Sequence, residues 1–270
     1  MARIRGVLVD LSGTIHIEDQ VIPGAIQAIE RLREHGLLLK FATNTTKEGR
    51  NRLHRRLLDI GFDIKREEMF TSLTAARDYL LQNNHMNPYL MVHDDAMEDF
   101  EEVGIRDSKG VDHSTAVVVG LAPDKFNYTD MNTAMRILID GGDLIAIHKA
   151  RYYKTGKGEL TLGPGPFVTA LEHSTDVKAV VVGKPSKDFF IRAMHSMNEE
   201  SKLEPQEIVM IGDDIKDDVL GAQSAGMTGI LVKTGKYRPG DEQGFEGKIP
   251  NHVFPSIVEA VEFIVSKLIH

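Results

Sequence analysis

Val7-Leu8-Val9-Asp10-Leu11-Ser12-Gly13-Thr14 is a short apolar run that stops at a carboxylate. Such a run reads as a buried parallel strand with its acid at the C-terminal edge. A stretch of the same form lies far downstream, where Ile208-Val209-Met210-Ile211 leads into Gly212-Asp213-Asp214, with Asp217 and Asp218 just beyond. In open α/β sheets ligands bind at that edge. If the two strands are neighbours, their acids converge. Oxygen donors of this kind hold a hard divalent cation such as Mg²⁺, and phosphate chemistry follows from such a site.

Strand and helix patterns alternate along nearly the whole chain, which predicts a parallel sheet wound with helices. Pro23 opens a helix carrying Ile26, Ile29 and Leu32 on one face, and Gly36 closes it. Leu37 to Ala42 is a second strand, a helix through Leu53, Leu57 and Leu58 stops at Gly61, and Thr71-Ser72 caps a helix running to about Leu81. The middle alternates on its own, with strands at Tyr89 to Val92, Ala116 to Leu121 and Leu144 to His148. Tyr152 to Pro166, rich in glycine, lysine and tyrosine, reads as a turn or loop, followed by a helix through Val168 and Leu171. The first pattern then returns: a strand at Ala179 to Val182, a helix from Phe189 to Met197, the Ile208 strand, a helix near Val219 to Ala225, a strand at Ile230 to Val232, and a last amphipathic helix from Ile257 to Leu268. The expected fold class is α/β with a doubly wound, Rossmann-like parallel-sheet core, and soft boundaries fall near residues 78 and 178.

Composition narrows the function. At 270 residues the chain holds one large domain or two of ordinary size, and its formal charge of −8 argues against a general nucleic-acid binder. With no cysteine, thiolate catalysis, disulfides and cysteine-ligated zinc are excluded. No stretch has the apolar length of a membrane span, and Met1 to Arg5 lead directly into a strand with no secretory pattern, so a soluble, cytoplasmic protein is expected.

Four strand ends carry unusual chemistry: Asp10 with Ser12, Thr43 with Asn44, Lys184, and Asp213 with Asp218. Singly, each has an ordinary explanation as a turn residue, a helix cap or a solvated lysine. Together they supply what phosphoryl transfer needs: a carboxylate nucleophile, acids to share a cation, a lysine to neutralise the phosphoryl group, and hydroxyl and amide donors.

In these four ordered motifs the chain resembles the haloacid dehalogenase superfamily of phosphohydrolases. The first family motif, Asp-x-Asp-Gly-Thr, is matched by Asp10-Leu11-Ser12-Gly13-Thr14 except at its third position; Thr43, Lys184 and Gly212-Asp213 with Asp218 match the other three. The resemblance implies that Asp10 is phosphorylated and that Asp10, Leu11, Ser12, Thr43, Asn44, Thr45 and Lys184 contact the substrate. It also implies that Mg²⁺ is held by Asp10, the Ser12 carbonyl, Asp213 and Asp218. The insertion between Thr43 and Lys184 stands where this family keeps its type II caps. The implied domains are a hydrolase core at 1–77 and 179–270 and a smaller inserted α/β cap at 78–178. The implied partners are a small phosphorylated substrate or a phosphorylated side chain and, because such caps often pair, a second copy in a homodimer. No nucleic-acid or membrane partner is expected.

Ser12 departs from the family. An aspartate there protonates the leaving group and activates water, and serine does not titrate near neutrality. The expected consequence is a bias toward pyrophosphate, acyl phosphates and phosphoamidates, whose leaving groups depart with less help. The competing reading is a catalytically weak phosphate-ligand or protein-binding module on the same scaffold. Ile147-His148-Lys149-Ala150-Arg151-Tyr152 gathers cations and aromatics in an acidic protein. That suits selection of an anionic substrate by His148, Lys149, Arg151 and Tyr152, and equally a solvated strand-to-loop exit.

Overall fold

The computed structural model describes residues 3–104, 114–154, 159–197 and 202–269. In chain order the strands of its two larger sheets are β1 (Gly6–Val9), β2 (Leu38–Thr43), β3 (Met69–Thr71), β4 (Tyr89–Met91), β5 (Ala116–Val119), β6 (Asp143–Ala146), β7 (Val180–Val181), β8 (Ile208–Gly212), β9 (Thr228–Val232) and β10 (His252–Phe254). Packing divides the chain into two compact units. One comprises Met1–Thr43, His54–Phe70 and Lys184–His270; the other comprises Asn44–Leu53 and Thr71–Gly183.

The first unit is built on a six-stranded sheet of order β10-β9-β8-β1-β2-β3. All four residues of β1 are buried, as befits a central strand covered on both faces. β1 pairs in parallel with β8 (Gly6↔Ile208) on one side and β2 (Gly6↔Leu38) on the other. The strand predicted 200 residues away is therefore its immediate neighbour. Helix Ala25–Glu34 buries Ala25, Ala28, Ile29 and Leu32 at helical spacing and packs against helix Ile257–Lys267. Helix Lys187–His195 packs on β1 and β2, and its Phe189 meets Phe70 edge-on at 5.2 Å. The β10 strand was not anticipated: His-Val-Phe between Asn251 and Pro255 is too short to show a period.

The second unit carries a four-stranded parallel sheet of order β7-β6-β5-β4. Helices Tyr128–Ile139 and Gly165–Thr175 enclose a core that includes Val117, Val119, Ile137, Leu144, Val168 and Leu171. Thr71 caps helix Ser72–Gln82 by accepting from the Thr74 amide at 3.0 Å, as the sequence predicts.

Three of the segments read from the sequence differ from expectation. The strand read at 179–182 is the short β7, and it pairs with β6 (Val180↔Ile145), so it extends the smaller sheet rather than the larger. A two-residue apolar strand fits either sheet, and only pairing partners decide. The loop read at 152–166 contains an antiparallel ribbon, Tyr152–Lys154 with Leu160–Leu162, in register Tyr152↔Leu162. Its turn-forming composition masked two three-residue strands, and positions 155–158 lie outside the described residues. The helix read at 219–225 starts earlier, as a π-helical turn over Ile215–Leu220 leading into Gly221–Ser224. Asp214 launches it by accepting from the Lys216 and Asp217 amides at 2.9 and 3.0 Å. Among the described residues no helix is long and apolar enough to cross a membrane.

Candidate active site

β1 and β8 are parallel and in register at their ends (Val9↔Ile211), and the Asp10 amide extends the ladder by donating to Ile211 at 2.9 Å. Parallel pairing sends both chains out at the same sheet edge, so Asp10 and Asp213 emerge side by side. Asp218 joins them from the helical turn after β8. Ligand oxygens of Asp10, Asp213 and Asp218 all lie within 4.8 Å of one another, and all three residues are buried. Gly212 makes room for this, since a Cβ there would stand 2.3 Å from the Asp218 side chain.

Lys184, 3% exposed, enters this cluster. Its ammonium donates to Asp10 Oδ1 at 2.6 Å, to Asp218 Oδ1 at 2.5 Å and to the Ala42 carbonyl at 3.0 Å. The second Asp10 oxygen accepts from Thr14 Oγ1 at 3.4 Å, and Asp218 Oδ2 accepts from the Asp214 amide at 3.1 Å. The residues of the 213–218 acidic run therefore divide. Asp214 is a helix cap, while Asp213 and Asp218 face Asp10.

Burial opposes charge on every group here, and the neighbours decide the result. Burial alone would lower the Lys184 pKa, but Asp10 and Asp218 overcome it and hold the ammonium well above its ordinary value. Asp213 is pushed up to about 7, first by burial and then by the Asp10 charge, against the pull of Lys236 and Lys184. Asp217 rises to about 6 through burial and Asp214, and burial outweighs Lys184 to raise Asp218. Ionising all three carboxyls gathers more negative charge than the Lys184 ammonium offsets, which is why burial and Asp10 raise Asp213. Asp213 Oδ1 is moreover buried with no hydrogen-bond partner among the described residues, an arrangement that leaves a polar atom short of a ligand. Charge, donor type and spacing together fit a divalent cation.

A pH effect follows. A carboxyl whose folded pKa exceeds its unfolded value binds more protons when folded, so its contribution to stability falls as pH rises between the two values. For Asp213 that interval runs from its ordinary value of 3.8 to about 7. In cation-free protein, Asp213→Asn should raise the unfolding midpoint by about 2–4 °C or more at pH 8, and by less near pH 5. Paired melting curves at the two pH values check this; a gain that is larger at the acid end contradicts it.

The remaining predicted residues divide between the two units. Leu11 is buried and Ser12 exposed in the turn after β1, and Thr43 is buried at the end of β2. Asn44 and Thr45, partly buried, belong to the second unit. There His148 Nδ1 accepts from the Ala150 amide at 3.3 Å, which leaves Nε2 to face Thr46 Oγ1 at 3.5 Å. Lys149 is committed to Glu172 at 2.7 Å, while Arg151 and Tyr152 are exposed. The sequence reading missed Thr14 as an Asp10 partner and Lys236, whose amide donates to Asp213 Oδ2 at 2.6 Å. The signal for the latter was available: the apolar run Ile230-Leu231-Val232 ends in Lys233-Thr234-Gly235-Lys236 at the same sheet edge.

The fold is the parallel-sheet α/β architecture of the haloacid dehalogenase-like hydrolases. A family model described as haloacid dehalogenase-like hydrolase matches residues 7–106, and a second HAD-hydrolase-like model matches residues 181–260. The chain is 52% identical to haloacid dehalogenase-like hydrolase domain-containing protein 2 of Bos taurus, over 98% of both chains. It is 41% identical to the phospholysine phosphohistidine inorganic pyrophosphate phosphatase of Danio rerio, over 88% of this chain and 86% of that one. In three dimensions it matches a 4-nitrophenylphosphatase of Thermotoga maritima with a TM-score of 0.86, at 25% identity and over 97% of each chain. The chain belongs to the haloacid dehalogenase-like hydrolases and is a phosphatase of that family.

Proposed function

We propose that the enzyme transfers the phosphoryl group of its substrate to Asp10 and then hydrolyses the aspartyl-phosphate, with Mg²⁺ as cofactor. The observation that carries this reading is the convergence of Asp10, Asp213 and Asp218 around Lys184. An Asp10 oxygen attacks phosphorus, the leaving group departs with the electron pair of its bond, and water later returns phosphate and the free carboxylate. Asp10, Asp213, Asp218 and the Ser12 carbonyl would hold the cation, which when bound screens charge between the nucleophile and the phosphoryl oxygens. Lys184 orients Asp10 and carries positive charge to the transferring group, and Thr43, Leu11, Asn44 and Thr45 are its proposed donors.

Substrate preference in this reading comes from Ser12. No titratable side chain stands at that position, so a leaving group must depart without an acid from the first motif. Pyrophosphate, phosphoamidates, including phosphorylated side chains, and acyl phosphates meet that demand better than sugar phosphates. The Danio rerio relative is by name a phosphatase of phospholysine, phosphohistidine and inorganic pyrophosphate, which supports the same classes. His148, Lys149, Arg151 and Tyr152 are the proposed selectors in an inserted cap, and a homodimer and a cytoplasmic setting belong to the same proposal.

Ser12→Asp tests the preference. Acid–base assistance is worth about 10²–10⁴ in rate, and the new carboxyl should return a large part of it to sugar-phosphate turnover while changing pyrophosphate turnover little. Equal gains on both substrates, measured as kcat/KM, would sink the idea.

A further inference from the structure

The segment after β9 plays no part in the chemistry just described, yet it makes three contacts with the two acid-bearing turns. Parallel pairing of β9 with β8 (Gly212↔Leu231) brings Lys233-Thr234-Gly235-Lys236 beside Asp213. Thr234 Oγ1 donates to the Gly13 carbonyl at 2.5 Å, in the turn that carries Asp10. The Lys236 amide donates to Asp213 Oδ2 at 2.6 Å. Between them Gly235 lies so close that a Cβ there would stand 2.1 Å from Asp213 Oδ2 and 2.4 Å from Gly13 Cα. The segment turns back on itself, the Tyr237 amide donating to the Thr234 carbonyl at 3.0 Å. Gly235 adopts φ +51, a left-handed conformation in which glycine carries no Cβ penalty.

These contacts act on one carboxylate unequally. Oδ2 of Asp213 is held by a backbone donor, and among the described residues buried Oδ1 has no hydrogen-bond partner. A carboxylate fixed by one oxygen presents the other in a set direction. Outer partners that orient a ligand in this way change metal affinity when removed, typically 10–100-fold.

We propose that Thr234, Gly235 and Lys236 form a strap that sets the orientation of Asp213 and its spacing from the Asp10 turn, making them positioning residues for divalent-cation binding. The inference rests on the cation site proposed above and assigns the strap no contact with substrate. Thr234 supplies a hydroxyl that valine lacks and serine retains. Gly235 supplies close approach, which alanine at that φ denies.

The test is Mn²⁺ binding to the full-length protein, followed by the electron paramagnetic resonance of the free ion, with the melting midpoint of cation-free protein in parallel. Gly235→Ala is expected to weaken Mn²⁺ binding about 10–100-fold. Thr234→Val should weaken it about tenfold at most and severalfold at least, with little change in the cation-free midpoint, and Thr234→Ser should restore it. A purely structural turn would lower the midpoint and leave Mn²⁺ affinity alone. That outcome, or unchanged affinity in Thr234→Val, overturns the strap. If Gly235→Ala does not fold, the Thr234 pair decides. Asp213→Asn separates the two claims: affinity lost there but kept in Thr234→Val removes the strap alone. Wild-type protein that binds no Mn²⁺ removes the cation site, and the strap with it.

Discussion

Replacing Asp10 with Asn is expected to abolish Mg²⁺-dependent phosphate release, by four powers of ten or more, while leaving the protein folded. Asparagine has the shape of aspartate; its oxygen accepts from Lys184 and its amide nitrogen donates to the Thr14 hydroxyl in place of the second oxygen, so the contacts at 2.6 and 3.4 Å have neutral substitutes. What it lacks is the anionic oxygen that attacks phosphorus. Loss of the nucleophile in an enzyme with a covalent intermediate costs about 10⁶ in kcat where it has been measured, and the remaining groups act only through it. Steady-state release from pyrophosphate and from a phosphoamidate, with circular dichroism to confirm folding, checks this. Residual turnover above about one per cent on either substrate is incompatible with nucleophilic catalysis at Asp10.

The second large effect concerns Lys184. Lys184→Met fills similar volume but removes the ammonium that Asp10, Asp218 and the Ala42 carbonyl share. Breaking a buried pair by removing one partner costs about 3–5 kcal/mol, because the other charge stays desolvated and uncompensated. Here two carboxylates are left beside Asp213, and cation-free protein should lose about that much unfolding free energy in urea. Mg²⁺ should return part of the loss by taking over the charge, yet activity should stay low because the phosphoryl group loses its cationic donor. A cation-free loss below about 1 kcal/mol would show that the carboxyls simply take up protons instead.

Much of this was legible beforehand, for a physical reason in each case. The apolar runs ending at Asp10 and Asp213 identified buried parallel strands, since only strands covered on both faces are apolar at every position. The alternation of strand and helix then predicted the sheet class, and Thr71 announced its helix because cap chemistry is local. Other features had no local signature. Val180–Val181 fits either sheet, and its pairing with Asp143–Ala146 places it in the smaller one. His252–Phe254 is too short to carry a period. Within the run Asp213 to Asp218, helix cap and ligand carry the same side chain, and only the contacts of Asp214 distinguish it from its neighbours.

The sequence by itself determined which residues have the chemistry of the site, because strand periodicity and motif spacing are properties of nearby residues. Tertiary structure alone decided what those residues do to one another. That Lys184 is shared between Asp10 and Asp218, that Asp213 Oδ1 has no hydrogen-bond partner among the described residues, and that Thr234 and Lys236 reach the same cluster all depend on chain segments brought together from far apart. Strand order within the sheet creates those proximities, and burial turns them into shifted pKa values.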